Sequence, residues 1–119
     1  MAKILIVDDS RTSRKILRNL LEDAGHTIVG EATNGMEGVS QYKELKPDIT
    51  TMDITMPELD GIESLKLIKE ADKDAIIVMI SAAGQKNKMI EAVKYGASEF
   101  IAKPFVAEEI TDVIEKISK

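Results

Sequence analysis

Lys3-Ile4-Leu5-Ile6-Val7-Asp8-Asp9 is the stretch on which the fold turns. Four consecutive aliphatic residues without polar alternation mark a strand buried on both faces, and such burial belongs to parallel sheets covered by helices. Two carboxylates follow at the strand's carboxyl end. The period then changes. From about Thr12 to Ala24, residues Ile16, Leu17, Leu20, Leu21 and Ala24 recur on one helical face, and Gly25 closes the helix. A buried strand followed by an amphipathic helix makes one βα unit.

The same alternation continues along the chain. A strand around Thr27 to Ala32 precedes a helix from about Met36 to Leu45, which Gly38 weakens and Pro47 ends. Ile49 to Met52 reads as a third strand, followed by a loop containing Pro57 and a helix over about Ile62 to Ala71 with Ile62, Leu65 and Ile68 inward. Ile76 to Ile80 precedes a helix around Asn87 to Tyr95 that Gly96 terminates. Glu99 to Ala102 precedes a last helix, with Val106, Ile110, Val113, Ile114 and Ile117 on one face. Five βα units make the class α/β.

With 119 residues the chain forms one domain, residues 1–119, because two would each lack a normal core. Hydrophobic residues at 44% and charged residues at 31% are ordinary for a globular protein. A net charge of -5 argues against a nucleic-acid partner, whose phosphates demand a basic surface. Without cysteine there are no disulfides or thiolate metal sites. The apolar runs Ile4 to Val7 and Ala75 to Ile80 are too short to span a membrane or act as a signal sequence, so the expected location is the cytoplasm.

In an open parallel sheet, ligands bind outside the carboxyl ends of the strands. There the sequence places Asp8 and Asp9 after the first strand, Asp53 after the third, Ser81 after the fourth and Lys103 beyond the fifth. Taken singly, each has an ordinary reading: Asp-Asp is usually a turn or cap, and Lys-Pro loop punctuation. Together at one sheet edge they are specific. Three carboxylates in one place repel, and a divalent cation that prefers oxygen ligands, with Mg²⁺ first, compensates them. Lys103 and Ser81 supply a positive charge and a hydroxyl suited to a phosphoryl group on one carboxylate.

Val7-Asp8-Asp9, Met52-Asp53-Ile54-Thr55-Met56-Pro57, Asp60-Gly61, Ser81-Ala82 and Lys103-Pro104-Phe105 closely resemble the receiver domains of two-component response regulators, over essentially the whole chain. The resemblance implies a flavodoxin-like (βα)5 fold of strand order 2-1-3-4-5, with helices on both faces. It implies Asp53 as phosphoacceptor; Asp9 and Asp53 as direct Mg²⁺ ligands, with Asp8 acting through water and the Thr55 backbone carbonyl completing the set; and Mn²⁺ as a substitute. Lys103, Ser81 and Ala82 would bind the phosphoryl group, with the Lys103–Pro104 peptide cis. On phosphorylation the Ser81 hydroxyl would move toward the phosphoryl group and the Phe100 ring would follow, although periodicity alone makes Phe100 an ordinary core ring. The surface of the fourth helix, fifth strand and fifth helix would then change.

Thr55 and Ala83 flank the path of the hydrolytic water; Ala83 cannot orient water, which implies a moderate lifetime for the acyl phosphate. Arg11, Arg14, Lys15 and Arg18 form a basic stripe that reads equally as a solvated face or as a docking surface for a kinase. The implied partners are a sensor histidine kinase or phosphotransfer protein and a downstream target such as a flagellar motor switch component, with the chain monomeric and turning over no external substrate. Met52 to Pro57 and Ala92 to Phe105 look most like the chemotaxis group of the family. The alternatives are a phosphorelay intermediate and, more remotely, a phosphatase using Asp53 as nucleophile, which the lone His26 in a turn does not favour.

Overall fold

The computed structural model describes residues 1–118. Among them, β1 (Lys3–Val7), β2 (Thr27–Ala32), β3 (Ile49–Asp53), β4 (Ile77–Ser81) and β5 (Glu99–Ala102) form one parallel sheet. The helices between and after them are α1 (Arg11–Asp23), α2 (Gly35–Leu45), α3 (Gly61–Ala71), α4 (Lys86–Lys94) and α5 (Ala107–Ile117). The strand order is β2-β1-β3-β4-β5, as expected for a flavodoxin-like (βα)5 domain. β1 and β3 are central, so every residue of β3 and all but Lys3 of β1 are buried.

Strand alternation divides the core into two layers. Leu5, Val7, Met52, Ile77 and Met79 pack with Tyr42 of α2, with Ile62, Leu65 and Ile68 of α3, and with Ala92 of α4. Ile4, Ile6, Ile49, Val78, Ile80 and Ile101 pack on the other face with Leu17 and Leu21 of α1 and Ile110 and Ile114 of α5. Helices therefore cover both faces.

Three details depart from the sequence pattern. In α1 only Leu17 and Leu21 are fully buried, Leu20 is partly so, and Ile16 and Ala24 are exposed. Neighbouring helical residues project about 100° apart, so a contact line through Leu17 and Leu21 turns Ile16 toward solvent. Val106 is the exposed N-cap of α5 rather than part of its buried face. β3 runs one residue beyond Met52 and β4 lies one residue later than the apolar run suggested, so Asp53 and Ser81 end their strands instead of following them. No helix of the described residues is long and apolar enough to cross a membrane.

Two local devices fix the loops that carry the site. Ser10 caps α1 by accepting from the Ser13 amide, and Asp60 caps α3 by accepting from the Glu63 amide at 2.9 Å. Gly61 lies so close to β3 that a β-carbon there would overlap the Asp53 carbonyl oxygen. Only glycine lets α3 begin against the backbone of the residue that carries the chemistry.

Candidate functional site

Asp8, Asp9, Asp53 and Lys103 meet at the carboxyl edge of the sheet. One carboxylate oxygen from each aspartate lies within 4.8 Å of the others, and the three form a group able to hold a metal ion. Asp8 and Asp53 are buried, whereas Asp9 is exposed. Lys103 Nζ bridges the buried pair, 3.1 Å from Asp8 Oδ2 and 3.3 Å from Asp53 Oδ2. The other Asp8 oxygen, Oδ1, accepts from the Ser10 amide at 2.8 Å. The peptide bond after Lys103 is cis, as expected.

The electrostatics follow from this crowding. Burial and then the Asp8 charge push the Asp53 carboxyl up from its ordinary 3.8 to about 6, against the opposing pull of Lys103. Burial alone would lower the Lys103 pKa, but its bonds to Asp8 and Asp53 outweigh that and raise it. The pocket thus holds more negative charge than one lysine balances. Oxygen donors, carboxylate crowding and a raised acid are what a hard divalent cation relieves, so the residues fit Mg²⁺.

Ser81 is buried at the end of β4, beside Ala102 in the β4–β5 register. Phe100 is half-buried against the layer that contains Met79 and Ala92, so its ring is not a fully enclosed core residue. Thr55, Ala82 and Ala83 are exposed at the rim. His26 precedes β2 and accepts from the Ala2 amide through Nδ1 at 3.0 Å, which places it by the amino ends of the strands, away from the aspartates.

The basic stripe on α1 is only partly free. Arg14 donates through Nε to Glu31 Oε1 at 3.0 Å and through Nη1 to the Asp8 backbone oxygen at 2.8 Å. Arg18 also pairs with Glu31, and with Glu22 at 3.4 Å. Glu31 is held below the usual carboxylate range because the Arg18 and Arg14 bonds outweigh a burial effect of opposite sign. Arg14 therefore fastens α1 to the loop carrying Asp8, while Arg11 and Lys15 remain exposed.

Gln85, which the sequence does not mark as a site residue, also reaches this edge of the sheet. Its Oε1 accepts from the Ala82 amide at 2.6 Å and its Nε2 donates to Thr55 Oγ1 at 2.6 Å. A polar residue at a helix start carries no signal that it will reach across to another loop.

A parallel sheet of this order, with an aspartate trio and a lysine at its carboxyl edge, defines a receiver module. A family model described as the response regulator receiver domain matches residues 4–115, and the chain belongs to that family. Members are phosphorylation-dependent signalling modules that bind Mg²⁺ through such an aspartate cluster. Within the family the chain is similar to the chemotaxis protein CheY of Thermotoga maritima, with 50% identity over 117 residues covering 98% of each chain. It is 46% identical to the chemotaxis protein CheY of Listeria monocytogenes over the full length of both. Its backbone also matches the CheX-CheY-BeF3-Mg²⁺ complex from Borrelia burgdorferi with a TM-score of 0.93 and 37% identity, covering 98% of this chain and 89% of that one.

Proposed function

We propose that residues 1–119 act as a chemotaxis-type receiver in which Asp53 accepts a phosphoryl group from a phosphohistidine on a kinase or phosphotransfer protein. The observation that carries this reading is the Lys103 ammonium between the buried Asp8 and Asp53 carboxylates. Asp9, Asp53 and the Thr55 carbonyl would hold Mg²⁺ or Mn²⁺ directly, with Asp8 acting through water. The ion's chemistry is to neutralise charge on the transferring phosphoryl oxygens.

With its pKa near 6, the Asp53 carboxylate is ionised at neutral pH and more basic than an ordinary aspartate. One of its oxygens forms the new O–P bond while the P–N bond of the phosphohistidine breaks. The imidazole leaves with the electron pair. Lys103, tethered between the two carboxylates, is placed to follow charge from Asp53 onto the phosphoryl oxygens. The Ala82 amide and the Ser81 hydroxyl donate to the same group. Movement of Ser81 opens space for the half-buried Phe100 ring, and the change reaches the surface of α4, β5 and α5. That surface exposes Ile90, Val93, Tyr95 and Val106, apolar contacts suited to a flagellar switch protein or a CheX-like partner in the cytoplasm.

Thr55 and Ala83 sit where water would approach, and Ala83 offers that water no hydrogen bond, so hydrolysis proceeds unassisted at a moderate rate. Of the α1 residues, Arg11 and Lys15 are the exposed charges with which a kinase would dock. Incubation with acetyl phosphate and Mg²⁺, read by intact mass, tests the reading. Wild type should gain one phosphoryl group, acetate being released, and Asp53→Asn none; an equal adduct on both proteins would overturn it.

A further inference from the structure

Gln85 occupies the N-cap position of α4, yet its side chain makes no capping bond to the helix. N-cap side chains normally satisfy an amide of the first turn, and leaving that bond unmade gives up local helix stability. The Gln85 carboxamide turns to the site instead. It accepts from the Ala82 amide and donates to Thr55 Oγ1, each at 2.6 Å, and so joins the β3–α3 loop, the β4–α4 loop and the start of α4. Gln85 is half-buried although Ala82, Ala83, Gly84 and Lys86 around it are exposed.

The Ala82 N–H makes one strong hydrogen bond at a time. In the unmodified protein the Gln85 oxygen holds it; with Ala82 as a phosphoryl donor, as proposed above, the same N–H would serve a phosphoryl oxygen after phosphorylation. The two oxygens compete for one donor. We propose that Gln85 is a latch on the phosphoryl site: its carboxamide occupies the Ala82 amide while Asp53 is unmodified, and phosphoryl binding expels it, freeing Thr55 and the amino end of α4 together. This rests on the reading of Asp53 as phosphoacceptor with Ala82 as a phosphoryl donor. The latch ties site occupancy to α4 through a single side chain. It also lowers the apparent affinity for a phosphoryl group by the fraction of molecules in which it is closed.

The test titrates wild type, Gln85→Ala and Gln85→Glu with beryllofluoride, a phosphoryl mimic, at saturating Mg²⁺ in a calorimeter. Mg²⁺ affinity without beryllofluoride and thermal unfolding are measured alongside. Losing one or two hydrogen bonds of ordinary net strength should make Gln85→Ala bind beryllofluoride about three- to ten-fold more tightly. Gln85→Glu should bind it more weakly than wild type, because a carboxylate holds the amide more strongly and repels the anion. Mg²⁺ affinity of Gln85→Ala should stay as in wild type. A merely structural residue would not shift the affinity in opposite directions, and the Glu variant keeps the test intact if Ala loosens α4. Equal affinities in all three proteins, weaker binding by Gln85→Ala, or tighter binding by Gln85→Glu would overturn the latch. A wild type that takes up no beryllofluoride would overturn the phosphoacceptor reading itself.

Discussion

Asp53→Asn should make the folded protein more stable at neutral pH, not less. The Asp53 carboxyl is raised from 3.8 to about 6, by burial first and the Asp8 charge second, so its ionised form is less comfortable in the fold than in the unfolded chain. An acid with a raised folded pKa contributes stability that is fully present below the unfolded value and is lost as pH rises through the folded one. The relevant window is therefore about pH 4 to 6. A shift of about two units corresponds to at most about 3 kcal/mol at pH 7, and screening by the water that still reaches the site reduces the expectation to about 1–2 kcal/mol. Asn keeps the shape and removes the charge, as protonation would. Urea unfolding of both proteins without divalent cations should give that advantage at pH 7 and almost none at pH 4. Adding Mg²⁺ should reverse the order, since an ion bound only by the folded wild type at a hundred times its Kd adds about 2.7 kcal/mol, more than the Asn variant's advantage. An Asn variant less stable at pH 7, or a difference that does not change with pH, would refute the electrostatic account.

Other perturbations separate the parts of the molecule. The hydroxyls of Thr50 and Thr51 are buried without a hydrogen-bond partner, so Thr51→Val should raise stability by about 1 kcal/mol in the same assay, and a loss would show that the hydroxyl is satisfied. Gly61→Ala drives a methyl into the Asp53 carbonyl oxygen; it should cost about 1–3 kcal/mol and slow phosphorylation by acetyl phosphate, and unchanged stability and rate would contradict the close packing. Reversing Arg11 and Lys15 to Glu should slow transfer from a phosphohistidine protein while leaving transfer from acetyl phosphate unchanged; equal slowing of both would sink the docking role.

The fold was readable because β1 and β4 are buried on both faces and appear as the apolar runs Ile4 to Val7 and Ile77 to Ile80, whereas β3, equally buried, carries Thr50 and Thr51 between Ile49 and Met52 and shows the pattern less clearly. The site was readable for a related reason. Asp8, Asp53 and Ser81 interrupt those runs at the one edge where backbone and loops open to ligands. What stayed hidden depended on contacts between distant segments. The sequence marks Arg14 and Arg18 as a stripe, but their partner Glu31 lies on β2, a pairing with no local period. Ile16 and Leu17 are equally apolar, and only the line along which α1 meets the sheet decides that one is buried and the other exposed. Gln85 was invisible because its importance lies in the loops its side chain spans.

The central claim is that Asp53, and no neighbouring carboxylate, carries the phosphoryl group. Borohydride reduction of the phosphorylated protein converts an acyl-phosphate aspartate to homoserine, and peptide mass mapping then locates it. Homoserine is expected at position 53 alone, formed only when Mg²⁺ accompanies the phosphodonor. Homoserine at position 8 or 9, or at position 53 without any divalent cation, would contradict it.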